Sequence, residues 1–141
     1  GGGLLDGLED RDKNGLVDLF DTDPNLPSDD QYVLEVDPLF FLSIGGLANF
    51  QVIDARPFSL CHVLYSLTGS GPTTLLNGLQ LDLTPPATPF AALFVSGLGH
   101  GSRTVQVPLT APMGAQVWFQ AIEFDSGSPT RMSNNLLRLL Y

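Results

Sequence analysis

The chain has 141 residues, enough for one domain with a short appendage and for a core that buries roughly two-thirds of the unfolded surface. It carries 15 acidic and 6 basic residues, a net charge of −9, which speaks against nucleic acid and anionic membrane as partners because both select clustered Lys and Arg. Cys61 is the only cysteine, so no intrachain disulfide forms, and no apolar run approaches the roughly 18 residues of a membrane-spanning helix.

The acid is concentrated at the start. Nine of the 15 acidic residues fall in the first thirty positions, and the remainder of the chain is close to neutral. Within that stretch Asp10 to Pro24 reads DRDKNGLVDLFDTDP. Asp10, Asp12, Asn14, Asp18 and Asp21 take positions 1, 3, 5, 9 and 12 of a twelve-residue loop, with Gly15 at position 6. That is the ligand order of a Ca2+ loop. A hard cation wants six to eight oxygens at roughly 2.3–2.6 Å, and a chain curling round it brings alternate side chains inward. Asn14 supplies a short amide carbonyl, Gly15 makes the sharp turn, and Leu16 offers its backbone C=O. Asp18 binds directly or through water, Asp21 closes the sphere, and Asp23 sits just beyond it.

Position 12 is Asp rather than the bidentate Glu of a helix-loop-helix site, and Pro24 and Pro27 leave no room for a flanking helix. The run Asp10, Asp12, Asn14, Gly15, Asp18, Asp21, Asp23, Pro24, Asn25 resembles the thrombospondin type 3 calcium repeat of bacterial secreted proteins. Gly3–Glu9 aligns with Gly15–Asp21 at a shift of twelve, so Asp6 repeats Asp18 and Glu9 repeats Asp21. Asp6 and Glu9 are therefore candidates for a shared or second ion. The chain reads as a mature product or a fragment that starts within an earlier copy. Residues 1–30 are expected to form a calcium-binding segment with a linker, and 31–141 a separate domain.

From Gln31 onward the periodicity becomes two. Tyr32, Leu34 and Val36 alternate with Val33 and Glu35, followed by apolar runs at Phe40–Ile44, Phe50–Ile53 and Leu60–Leu67. Alternation returns at Leu79–Leu83 and at Val105–Leu109, with an apolar run at Phe90–Ser96 between them. Thr84–Pro89 reads as a loop. Ala115–Phe124 is the longest strand candidate, Asp125–Pro129 a turn, and Leu136–Tyr141 the last strand. Eight to ten short strands, punctuated by Gly and Pro about every ten residues, predict an all-β fold: an antiparallel β-sandwich, Ig-like or jelly-roll-like. The layout resembles the small C-terminal modules of secreted bacterial proteins, which often end in a run like Ala121-Ile122 … Ser133-Asn134-Asn135-Leu136.

No catalytic constellation stands out. His62 lies in an apolar strand, and strand geometry puts it on the opposite face from Cys61, so the two do not pair as base and nucleophile. Cys61 is expected to be a buried, inert thiol. His100 lies in a glycine loop, GLGHGS, that lacks the spacing of a nucleophile elbow. Tyr32, Trp118 and Tyr141 would make a sugar-stacking face if exposed, whereas Trp118 filling the core or a subunit contact is the simpler expectation.

The only lysine, Lys13, lies in the calcium loop, so the strand edges lack the charge that usually discourages edge pairing. The expectation is an extracellular, non-enzymatic, calcium-binding structural subunit that forms a homo-oligomer or homo-polymer by strand donation. The alternative is an adhesion or carbohydrate-binding module on a calcium-repeat stalk. A dockerin-like adaptor fits less well, since it needs two full loops each followed by a helix.

Overall fold

The computed structural model describes residues 32–75 and 78–141; the predicted segment 1–30 lies outside the described residues. All regular structure in the described residues is β. Eleven strands occur in order: β1 (Val33–Asp37), β2 (Phe41–Leu42), β3 (Leu47–Ile53), β4 (Leu60–Ser66), β5 (Thr73–Thr74), β6 (Gln80–Leu81), β7 (Thr88–Phe94), β8 (Gly101–Gln106), β9 (Gln116–Asp125), β10 (Ser128–Met132) and β11 (Leu136–Leu140).

They form three sheets. The smaller of the two main sheets has the order β1–β3–β8, antiparallel throughout. The larger has the order β2–β11–β9–β4–β7. Strand β4 runs along one edge of β9, and the other edge pairs first with β11 and then with β10. β10 and β11 are thus two halves of one strand, interrupted at Ser133–Asn135. The turn between β9 and β10 has positive φ at both central residues, Ser126 (50°) and Gly127 (83°), the geometry of a tight two-residue hairpin. One pairing departs from the antiparallel expectation: β2 lies parallel to β11. No hairpin joins those two strands, which are far apart in sequence, so nothing in the connection imposes opposite directions. Strands β5 and β6 make a two-stranded flap.

The period-two alternation builds the core. Tyr32, Leu34 and Val36 from β1 and its start, Ala48, Phe50 and Val52 from β3, Cys61 and Val63 from β4, and Val117, Phe119 and Ala121 from β9 all point into one apolar cluster. The two main sheets therefore pack face to face in a sandwich-like arrangement. At the centre Phe50 packs edge-on to Phe90 and Phe119, with ring centroids 5.4 and 5.1 Å away. A smaller cluster lies on the outer face of the larger sheet, where Leu64 and Ile122 meet Leu81 and Leu83 of the flap region. The flap covers the middle of that outer face.

Candidate functional site

The calcium-site residues named from the sequence, Asp6, Glu9, Asp10, Asp12, Asn14, Leu16, Asp18, Asp21 and Asp23, lie outside the described residues. Among the described residues no group of three His, Cys, Asp or Glu side chains is placed to hold a metal ion. No helix there is long and apolar enough to cross a membrane.

The most unusual chemistry in the described residues is a charged group inside the core. Glu123 is in phase with Val117, Phe119 and Ala121 on β9, so the pleat turns its carboxylate inward, and it is fully buried. Its Oε2 accepts the Arg56 backbone N–H at 2.8 Å. The Arg56 Nε lies 3.7 Å from Oε1, and an Arg131 guanidinium nitrogen lies 3.9 Å from Oε2. Arg131 also donates to the Asp54 carbonyl at 3.3 Å, and its guanidinium sits 5.6 Å above the Tyr32 ring. Two cations and a backbone donor thus offset the desolvation of the carboxylate and pin the Asp54–Arg56 turn to β9 and β10.

Cys61 is the cross-strand partner of Glu123 and faces the same interior. Burial, reinforced by the nearby Glu123 carboxylate, pushes its thiol up to about 11 even though the Tyr32 and Ser59 hydroxyls beside it pull the other way. It is a protonated, inert thiol at neutral pH, as expected. His62 points to the opposite face and packs edge-on to Phe124 at 5.0 Å. The Tyr32 hydroxyl faces the Cys61 thiol, and burial raises its pKa far above the usual phenol range. Apart from Arg56, whose side chain is 36% exposed, this cluster is largely buried, and its chemistry is that of a latch.

A second polar cluster occupies the break between β10 and β11. The Ser133 backbone N–H donates to the Ala121 carbonyl at 2.9 Å, and the Ala121 N–H donates to Ser133 Oγ at 2.8 Å. The Asn134 carboxamide acts as a substitute strand for β1, since its Oδ1 accepts from the Leu34 N–H at 2.7 Å and its Nδ2 donates to the Leu34 carbonyl at 3.2 Å. Arg138, turned inward between Leu137 and Leu139, donates to the Val36 carbonyl at 3.3 Å. Gln120 accepts from the Asp82 N–H at 2.8 Å and donates to the Ser133 carbonyl at 2.8 Å, while Asn135 donates to the Asp82 carbonyl. The run Ser133–Asn135 therefore ties β1, β9 and the flap together.

These contacts change the expectation of bare sheet edges. Asn134 and Arg138 occupy the outer edge of β1. On the far side of the sandwich, Arg103 of β8 donates to the Ala92 carbonyl of β7 at 3.0 Å. Gly101 of β8 lies so close to β7 that a Cβ there would stand 2.8 Å from the Phe94 carbonyl oxygen, which only glycine allows. Side chains and a close backbone approach thus guard the edges where the two sheets meet, without any lysine.

Tyr32, Trp118 and Tyr141 do not share an exposed face, in keeping with the simpler expectation for Trp118. Tyr32 is fully buried in the main core, and Trp118 packs against the smaller core beneath the flap, leaving only Tyr141 exposed. Exposed large apolar residues lie elsewhere, among them Phe41 of β2 with the outer face of β11, Phe58, Leu60 and Phe94, and the loop residues Leu98, Leu109 and Met113. An apolar cavity of about 210 Å³ opens between the sheets beside Leu42, Tyr65, Phe90 and Phe119, with no charged residue in its lining.

Sequence reasoning passed over Glu123 and Arg138 as interior groups, although each stands in phase with buried apolar neighbours on its strand. Nothing in the pattern marks Asn134, whose role depends on a strand one hundred residues away. No protein-family model matches the chain, and no curated protein matches it.

Proposed function

We propose that this chain is an extracellular calcium-binding structural subunit that self-associates into a fibre or matrix, built as a β-sandwich of Ig-like or jelly-roll-like type behind a calcium-binding segment. The observation that carries the reading is the oxygen-ligand order from Asp10 to Asp21, with Gly15 at the turn and a second register at Asp6 and Glu9. The fold around it supports a scaffold role. The polar groups of the interior serve as ties between elements, and large apolar residues such as Phe41, Leu137 and Leu139 stay exposed on the larger sheet. Because Asn134, Arg138 and Arg103 occupy the edges of β1 and β7, strand donation between protomers has to use another edge.

The test is calorimetric titration of the chain with Ca2+. The wild type should bind in the ~10⁻⁴–10⁻³ M range of extracellular modules, and Asp12→Ala and Asp21→Ala should each weaken binding by more than tenfold because each removes a charged oxygen from the ion. Unchanged affinity in both variants overturns the calcium half of the reading.

A further inference from the structure

The outer face of β11 and Phe41 of β2 form one apolar surface, while Leu42 of β2 is buried in the core. Leu137 and Leu139 point outward from β11 while Arg138 and Leu140 point inward. In the parallel register Leu139 stands opposite Phe41, so their side chains share the outer face, and Phe41 packs edge-on to Tyr141 at 5.6 Å. Leu39 and Phe40, both exposed, lie in the bend that leads into β2. These six residues are between 37% (Leu139) and 73% (Phe40) exposed. The one cation in the run Leu136–Tyr141, Arg138, is buried on the other side.

We propose that this β2–β11 end is a homotypic interface, occupied by the same surface of a second copy of the chain. The inference rests on the self-association reading above and names its contact. Area and charge both point to a second copy. With aromatic side chains burying about 150–250 Å² each and six large side chains roughly half exposed, the surface presents on the order of 600 Å². That is the upper end of the roughly 300–600 Å² typical of the largest patch on a monomer. Two such patches facing one another bury roughly 1,200 Å², which enters the range of specific interfaces. An isologous contact sets each residue against its own kind or a near neighbour, so a charged patch repels itself and a neutral apolar one does not. The other exposed apolar flank, Leu60 with Phe58 and Phe94, borders a groove that contains Arg56 and His62 and lacks that property. Phe41 stands opposite Leu139 and packs on Tyr141, so it lies within this surface and is the position chosen for cross-linking.

The experiment is sedimentation velocity on the full chain over a concentration series, in millimolar calcium and in EDTA. It compares the wild type with Phe41→Glu/Leu139→Glu, with Leu60→Glu as the control on the opposite flank. The expected result is a concentration-dependent larger species in the wild type and in Leu60→Glu, with association weakened at least tenfold in Phe41→Glu/Leu139→Glu. Circular dichroism checks that the charged variants remain folded. Should they not, Phe41→Cys provides a second readout: under mild oxidation it should yield a disulfide-linked dimer, whereas the buried Cys61 of the wild type should yield none. A wild type that associates while Phe41→Glu/Leu139→Glu associates equally well, or Phe41→Cys that does not cross-link, overturns this interface and leaves self-association standing. A wild type that stays a protomer at all concentrations in both buffers overturns the interface and the self-association reading together.

Discussion

Burial acts on Cys61 and Tyr32 in the same direction, and the consequence is measurable. Both are neutral acids in the core, and both are harder to ionise there than in the unfolded chain. A group whose folded pKa is raised contributes stability that is fully present below its unfolded pKa and is lost as pH rises toward the folded value. For Cys61 the interval runs from the ordinary 9.0 to about 11. At 1.36 kcal/mol per unit, that corresponds to about 2–3 kcal/mol of stability lost across the interval. Tyr32 adds to the loss from its ordinary value of 10.0 upward. Urea unfolding at a series of pH values should therefore show stability falling from near pH 9. In Cys61→Ala the fall between pH 9 and 10 should be much reduced. A flat profile from pH 8 to 11 contradicts the burial of these groups.

At the scale of the element, the informative unit is the interrupted strand β10–β11 with Asn134 at its break. The Leu34 N–H and C=O have no strand on that side, and a single carboxamide supplies both partners. Removing it leaves two backbone groups of a fully buried residue unpaired, each costing about 1–3 kcal/mol. Asn134→Ala should lower the unfolding free energy by roughly 2–5 kcal/mol, and the Leu34 amide should exchange with solvent markedly faster. A loss below about 0.5 kcal/mol would show that water replaces the carboxamide. The strands were legible in the sequence where one face is buried and the other is not. Val33–Asp37 falls where alternation puts it, and Leu60–Ser66, Gln116–Asp125 and Leu136–Leu140 fall close to the apolar run Leu60–Leu67 and the strand candidates Ala115–Phe124 and Leu136–Tyr141. Legibility failed where that contrast is missing. The Val105–Leu109 alternation predicts a strand that is found earlier, at Gly101–Gln106, because Pro108 has no N–H for the ladder and the exposed run Ser102–Thr104 carries no apolar signal. β10 contains Pro129 beside a register shift, and β5 is two threonines long, so neither shows a pattern. The apolar run Phe40–Ile44 yields only the two-residue β2, and its outward Phe residues form surface rather than core. The buried ties Glu123 and Asn134 are long-range, and pairwise geometry of that kind does not appear in a local pattern.

At the scale of the whole molecule, the described body from Tyr32 to Tyr141 contains a complete hydrophobic core. Every predicted calcium ligand precedes Pro24, outside the described residues. The ties between sheets run through Glu123, Asn134, Gln120 and Arg138, whose hydrogen bonds are made within residues 34–138. On the proposed calcium-binding reading, an ion held by Asp10–Asp23 is expected to order the first thirty residues and to leave the packing of the sheets unchanged. Removing calcium with EDTA should leave the cooperative unfolding of the β body unchanged to within about 0.5 kcal/mol, the size of effects that touch no core or tie. The near-ultraviolet signal of Trp118, seated under the flap, reports on that body directly. The same treatment should expose sites before Pro24 to limited proteolysis. If EDTA instead lowers the midpoint of the Trp118 transition, the ion contributes to the stability of the sheets, and the division into a calcium-binding segment and an independently folded body is wrong.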